Sequence, residues 1–282
     1  MTAQLINGKE KASEIYTALR DKISALPSKP KLAIILVGND EASLIYVRNK
    51  QKAADLVGIT AELFHLPENT EETELLQLID TLNTDSQTNG VIVQLPLPDH
   101  LNTHKIINRI SPLKDVDGFN PYNTGMLQNN EKPYFIAATP LGIMKLLHDV
   151  CPKLTGKNVV IIGASLIVGR PLATLLLNNE CTVTVTHIHT RFIEELTRQA
   201  DILIAACGVA KLVKQDWIKQ GAILIDVGIN RENGRICGDI DFEDVKDKAS
   251  ALTPVPGGVG PMTVAMLLQN TVNAYLLQNP SL

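Results

Sequence analysis

The sequence predicts an α/β protein of two lobes: an N-terminal α/β substrate domain and a Rossmann-like, parallel-sheet dinucleotide-binding domain. Three observations point there. Short runs rich in Val and Ile alternate with helical stretches along the whole chain, these runs fall into two sets, and one of them ends in a glycine-rich turn. Strands apolar on both faces and separated by helices belong to parallel sheets covered on both sides.

In the first set, Lys31–Gly38 (KLAIILVG), Ile59–Leu66 and Gly90–Pro98 (GVIVQLPLP) read as strands, with helices over Ser43–Val57 and Glu71–Asn83. The stretch Ser111–Asn130, rich in Pro, Gly, Asn and Asp, reads as loop. A helix over Thr139–Val150 separates the two sets. The second set offers Asn158–Gly163, Thr182–His187, Asp201–Ala206 and Ala222–Gly228 as strands. A last helix spans Pro261–Leu277, with Pro261 suited to a first helical position. The expected domains are therefore 1–138 for the substrate lobe and 139–260 for the nucleotide lobe, with 261–282 packing back on the first.

Composition narrows the function. The 282 residues carry 26 Lys+Arg against 30 Asp+Glu, a net charge of −4, which argues against nucleic acid or an anionic membrane as partner. No apolar run reaches the ~18 residues that span a bilayer. The start, MTAQLINGKE, lacks the basic-then-apolar pattern of a signal peptide. Cys151, Cys181, Cys207 and Cys237 form no CxxC pair, so reduced thiols in a cytoplasmic protein are expected.

The sharpest local motif is Val160-Ile-Ile-Gly-Ala-Ser-Leu-Ile-Val-Gly-Arg-Pro171, a strand running into Gly163, Ser165 and Gly169 before a helical pattern. Glycine admits a close phosphate, and helix N-terminal amides favour its charge. The motif varies the usual GxGxxG, and a strand–turn–helix that binds nothing is the plain alternative. The next strand ends His187-Ile-His-Thr190-Arg191, with no acid to accept from a ribose 2′-hydroxyl. Hydroxyl and cationic groups there suit a 2′-phosphate, which favours NADP over NAD. Cys207, Gly208 and Ile229 lie at two further strand ends opening on the same crevice.

The chemistry-bearing residues lie in the first lobe. Tyr46 and Lys50, at i and i+4 of a helix, share one face, although an exposed Tyr–Lys pair would look the same. Gln94 closes a strand where Pro96 and Pro98 stop a ladder. Asp115-Val-Asp117-Gly118 resembles the start of a calcium loop, but Phe119 and Met126 stand where ligands belong. Neither His100 with His104 nor His187 with His189 has a third ligand in view, so no metal is expected. Thr253–Thr263 is a glycine–proline loop opening the last helix.

Together, Ser43-x-x-Tyr46-Val-x-x-Lys50, Val93-Gln94-Leu-Pro-Leu-Pro98, Asp115–Phe119, Gly163–Pro171 and Pro254–Thr263 resemble the bifunctional methylenetetrahydrofolate dehydrogenase/cyclohydrolase family, in that order and over nearly the whole chain. A shikimate dehydrogenase-like protein would share the two-lobe plan without the second and fifth motifs. The resemblance implies NADP-dependent oxidation of methylenetetrahydrofolate, then hydrolysis of the methenyl cation to 10-formyltetrahydrofolate. It implies Lys50 as the central catalytic group, Tyr46 packing on the folate, Gln94 orienting the amine, and Asp117 binding the pterin's amino-pyrimidine edge. Leu95, Pro256, Gly257, Gly258 and Pro261 join the substrate side. Gly163, Ala164, Ser165, Gly169, Arg170, His187, Thr190, Arg191, Cys207, Gly208 and Ile229 join the cofactor side. Ala164 departs from the many members that carry Arg after the first glycine. A homodimer is also implied.

Overall fold

The computed structural model describes residues 2–232 and 234–280. The first half runs β1 (Gln4–Leu5), α1 (Gly8–Ser24), β2 (Lys31–Val37), α2 (Glu41–Val57), β3 (Thr60–Leu66), α3 (Glu72–Thr84), β4 (Gly90–Val93), α4 (Thr103–Arg109), α5 (Pro121–Gln128) and α6 (Ala138–Val150). The second half runs β5 (Asn158–Ile162), α7 (Gly169–Asn178), β6 (Thr182–Thr186), α8 (Ile193–Thr197), β7 (Ile202–Ala205), β8 (Ile223–Asp226), β9 (Asn230–Glu232), β10 (Arg235–Cys237), α9 (Phe242–Val245), β11 (Ala251–Leu252) and α10 (Val259–Gln278). Two compact units result. One joins the residues up to Ala12 with Thr139–Thr263, the other Ser13–Ala138 with the chain from Val264 onward.

In the second of these units β3, β2 and β4 form a parallel sheet in that order. Its central strand is fully buried from Leu32 to Leu36, which is why that run shows no alternation. Ala33, Ile35, Leu75, Ile79 and Val91 share the core on one face. Helix α2 is fixed at both ends: Ser43 N–H donates to Asp40 Oδ2 at 2.8 Å, and Gly58 stops it in the left-handed conformation. Its buried stripe is Ser43, Val47, Lys50, Ala54 and Val57, spaced four, three, four and three residues apart.

The other unit holds a six-stranded parallel sheet, ordered β1-β11-β8-β7-β5-β6. Val160, Ile162, Leu203, Ala205 and Leu224 belong to its core. A small antiparallel pair, β9 with β10, follows β8.

Four expectations are corrected. The assignment of 1–138 to the first lobe fails at its start, because β1 pairs with β11 in the nucleotide sheet; two-residue strands leave no periodicity to read. The strand read over Gly90–Pro98 leaves the ladder after Val93, where the Leu95–Pro96 peptide is cis. The stretch Ser111–Asn130 is not all loop: Asn120 caps α5, accepting from Tyr122 N–H at 2.9 Å, with Pro121 in the first turn. Finally, α10 begins at Val259, two residues before Pro261, which still falls in the first turn where a missing N–H costs nothing. Among the described residues no helix is long and apolar enough to cross a membrane.

Candidate active site

Lys50 settles the question of its helix face. It lies on the buried stripe of α2 and is only 9% exposed, while Tyr46, one turn earlier, is 38% exposed. A buried amine demands acceptors. Lys50 Nζ donates to Gln94 Oε1 at 3.0 Å, and Gln94 Nε2 donates to the Leu95 carbonyl at 2.8 Å. Gln94 itself is anchored where β4 ends, its N–H donating to Ile35 O at 2.8 Å. Burial pushes the Lys50 amine below the ordinary lysine range, and the charge of Asp117 partly opposes the shift. Burial likewise pushes Asp117 up, with Lys50 opposing. Burial also raises the Tyr46 phenol. The structure thus brings Lys50, Gln94 and Asp117 together, with Leu95 holding the amide.

The loop that carries Asp117 is built by its neighbour. Asp115, fully buried, accepts from Phe119 N–H (3.2 Å), Asn120 N–H (2.8 Å) and Asn123 Nδ2 (2.9 Å). Desolvation raises its carboxyl to about 7 against the pull of those donors. Asn270 of α10 clamps the same loop, donating from Nδ2 to the carbonyls of Val116 and Ile136, both at 2.9 Å. Gly118 turns at φ +74°, and a Cβ there would strike the Ile136–Ala137 backbone. Asp115, Asn123 and Asn270 were absent from the sequence-based site. The Asp115–Gly118 motif hinted at the first; Asn270 lies too far along the chain to be linked by spacing.

The nucleotide motif occupies the other unit. Gly163 has φ +115°, and a Cβ there would overlap the Ala206 carbonyl. A Cβ on Gly169 would overlap the Gly163 carbonyl, so the turn is closed backbone against backbone. Ser165 Oγ accepts from Val168 N–H (3.2 Å) and Gly169 N–H (3.4 Å) at the start of α7. Arg170 folds back, donating from Nε to the Ala164 carbonyl at 3.1 Å. At the end of β6, His187 N–H donates to Thr190 Oγ1 (2.9 Å) and Thr190 N–H to His187 O (2.8 Å), closing a turn beside the exposed Arg191. Gly208 and Ile229 are exposed at the ends of β7 and β8 and Cys207 is half-buried. Burial and the nearby Asp239 push the Cys207 thiol up to about 11, which keeps it protonated and unreactive. In the same unit, Pro256 is exposed after a cis Val255–Pro256 peptide, Gly257 O accepts from Lys9 N–H at 2.9 Å, Gly258 is buried against Gly8, and Pro261 is half-buried.

Residues 6–117 match the family model for the tetrahydrofolate dehydrogenase/cyclohydrolase catalytic domain, and residues 137–279 match that for the NAD(P)-binding domain. The chain belongs to this family. It is 51% identical over 277 residues to the bifunctional protein FolD of Aquifex aeolicus, covering 97% of this chain and 95% of that one. The crystal structure of the bifunctional FolD methylenetetrahydrofolate dehydrogenase/cyclohydrolase from Campylobacter jejuni matches with a TM-score of 0.96 and 49% identity, covering 99% of this chain and all of that one. That of the Trypanosoma brucei dehydrogenase-cyclohydrolase, complexed with NADP cofactor and inhibitor, matches with a TM-score of 0.94 and 36% identity, each chain being 98% covered. As a tetrahydrofolate dehydrogenase/cyclohydrolase, the protein is a bifunctional, NADP-dependent enzyme.

At Ala164, where the resemblance leads one to expect Arg, the nearby cation is Arg170, whose Nε donates to the Ala164 carbonyl. His100 and His104 do not share a helical face: His100 precedes α4, and its Nε2 lies 3.0 Å from Thr70 O. Among the described residues, no three His, Cys, Asp or Glu side chains gather as a metal would require.

Proposed function

We propose that Lys50, in its neutral form, is the general base of the hydrolysis and that Asp117 orients the folate for both reactions. The observation that carries this reading is the burial of the Lys50 amine against the Gln94 amide oxygen. Desolvation favours neutral amine, and the cationic methenyl substrate would repel an ammonium and lower its pKa further. With its lone pair available, Nζ accepts a proton as water adds to the methenyl carbon, and returns it as the ring opens to the formyl product. The Gln94 oxygen holds one Nζ–H and thereby turns the lone pair elsewhere. Asp117 offers two oxygens to the adjacent N–H donors of an aminopyrimidinone, and Tyr46 offers an exposed ring face. Leu95 helps shape the folate side, as do Pro256, Gly257, Gly258 and Pro261.

The cofactor-side residues fit a dinucleotide. The glycine turn leads into α7, whose N-terminal end favours the negative charge of a pyrophosphate, with Ser165 already seated there on the Val168 and Gly169 N–H groups. Thr190 Oγ1 already accepts from His187 N–H, so its own proton is free to donate to a 2′-phosphate oxygen, with Arg191 and Arg170 as the cations. NADP, when bound, accepts the hydride; the protein's contribution is to fix both ligands in orientation. The reading retains a homodimer in the cytoplasm and no metal.

Purified protein given methylenetetrahydrofolate with NADP or NAD tests it, by absorbance for reduced cofactor and chromatography for 10-formyltetrahydrofolate. Both products with NADP are expected. Reduced cofactor with accumulating methenyl compound would remove the base role from Lys50.

A further inference from the structure

Two acidic side chains outside the proposed site lie buried at the carboxyl end of the six-stranded sheet. Asp226 ends β8, and Asp239 stands two residues beyond β10. Asp226 Oδ1 accepts from Gly228 N–H (3.1 Å) and Asp239 N–H (2.9 Å), and its Oδ2 from Ile240 N–H (2.9 Å). Asp239 Oδ2 accepts from Cys207 N–H (2.7 Å) and Gly208 N–H (3.0 Å), and its Oδ1 from Asn230 Nδ2 (2.8 Å). Every partner is a donor, so only acceptor oxygens satisfy the arrangement. A Cβ on Gly228 would overlap Asp239, and one on Gly238 would overlap Asp226. Two carboxylates therefore tie together the chain after β7, after β8 and after β10.

The tie fixes the direction of the backbone. The N–H groups of Cys207 and Gly208 both turn inward onto Asp239. In a trans peptide the carbonyl points opposite its N–H, so the Cys207 carbonyl is turned away from Asp239. It is thus presented as an acceptor beside the exposed Gly208. A nicotinamide carboxamide carries the N–H donors that such an acceptor binds.

We propose that Asp239 is a positioning residue for the dinucleotide, holding Cys207–Gly208 directly and the Gly228–Asn230 segment through Asn230. It serves hydride transfer and not hydrolysis. This rests on the reading that Cys207, Gly208 and Ile229 face the nicotinamide.

The test is Asp239→Asn, assayed for both reactions on the same preparation. The amide keeps the shape but replaces one acceptor oxygen by an NH2 and removes the charge that strengthens the hydrogen bonds from Cys207 and Gly208. The expected result is a loss of at least tenfold in dehydrogenase kcat/KM for NADP, with hydrolysis of supplied methenyltetrahydrofolate, in the absence of cofactor, within about twofold of the parent. The double variant Asp239→Asn/Asn230→Asp exchanges amide and carboxylate, restores an acceptor for each donor, and should recover most of the dehydrogenase. Equal loss of both activities, or an unaltered dehydrogenase, overturns the proposal. Should Asp239→Asn fail to fold, Asn230→Ala removes one donor without touching Asp239, and an unchanged KM for NADP there overturns it as well. Ile229→Asp separates the two levels: if it leaves NADP turnover intact, the placement of the nicotinamide is wrong, whereas a silent Asp239→Asn beside a damaged Ile229→Asp removes only the positioning role.

Discussion

Lys50 Nζ meets Gln94 Oε1 at 3.0 Å, and the other end of the same amide is committed to the Leu95 carbonyl. The amide thus offers the amine an oxygen and not an NH2, and it does so without adding charge. A neutral acceptor leaves the desolvation of Lys50 largely uncompensated; Asp117 supplies the only opposing pull among the causes of the shift. Under the proposed role, such a pair favours an amine that can lose its proton.

Gln94→Glu tests that arrangement with an isosteric change. A carboxylate at this distance favours ammonium, so the Lys50 pKa should rise. With the neutral amine as the proposed base, the rising limb of the pH–rate profile for hydrolysis should move to higher pH and the rate near neutrality should fall. A profile unmoved by the substitution would dissociate Gln94 from the proton transfer.

Lys50→Met should lower methenyl hydrolysis by ~10²–10⁴-fold, the usual worth of a general base. Lys50→Arg should do no better, since guanidinium holds its proton in any protein environment. Rates are read by loss of methenyl absorbance at a fixed substrate concentration. Hydrolysis at the parental rate in either variant would refute the assignment.

Asp117→Ala should damage both reactions through folate affinity, raising KM for the substrate in each by about tenfold or more for a lost charge-assisted pair. Isothermal titration with a folate ligand supplies the direct check, and undiminished affinity would move the pterin elsewhere.

The reach of the sequence can be judged from particular residues. Strands such as Lys31–Val37 were legible because burial on both faces writes an unbroken apolar run. The loop glycines Gly163 and Gly169 were legible because only glycine fits a backbone closed on itself. Helix α1 was not, although Asn7 and Glu10 cap it reciprocally through Glu10 N–H to Asn7 Oδ1 (3.2 Å) and Asn7 Nδ2 to Glu10 Oε2 (3.3 Å). Its apolar positions Ala12, Ile15, Leu19 and Ile23 do recur three and four residues apart, but the charged residues between them leave no apolar run. That Lys50 is buried could not be read from its spacing with Tyr46; it follows from Val47 and Ala54 sharing its stripe. Asp239 and Asn270 hold groups distant in sequence, which no motif announces, whereas Asp115, with partners at Phe119, Asn120 and Asn123, left a trace in its motif.

Arg191→Ala and His187→Ala should each raise KM for NADP several-fold while leaving KM for NAD nearly unchanged. Both stand at the exposed turn after β6, which carries no acid. Initial rates with the two cofactors distinguish a 2′-phosphate contact from general damage, which would raise both constants together.

The two buried carboxyls raised to about 7, Asp115 and Asp226, give stability a pH dependence of unusual sign. Unfolded aspartate titrates near ~3.9, so between roughly pH 4 and 7 the native state binds more protons than the unfolded chain. Stability then falls as pH rises through that interval, by on the order of a few kcal/mol. Asp117 beside Asp115 and Asp239 beside Asp226 add like charge and work in the same direction. The depressed carboxylates Asp40, Glu72, Asp80, Asp85 and Asp201 act oppositely, but their contribution is complete once the pH exceeds their unfolded values. Lys50, lowered by burial, adds stability only as pH rises from its folded value toward that of a free lysine. Urea unfolding at pH 5.5 and pH 7.5 (chosen to bracket the upper part of that window) should therefore give the lower free energy at the higher pH. A free energy that is flat or rising between them would mean that the three N–H donors on each carboxylate outweigh its desolvation.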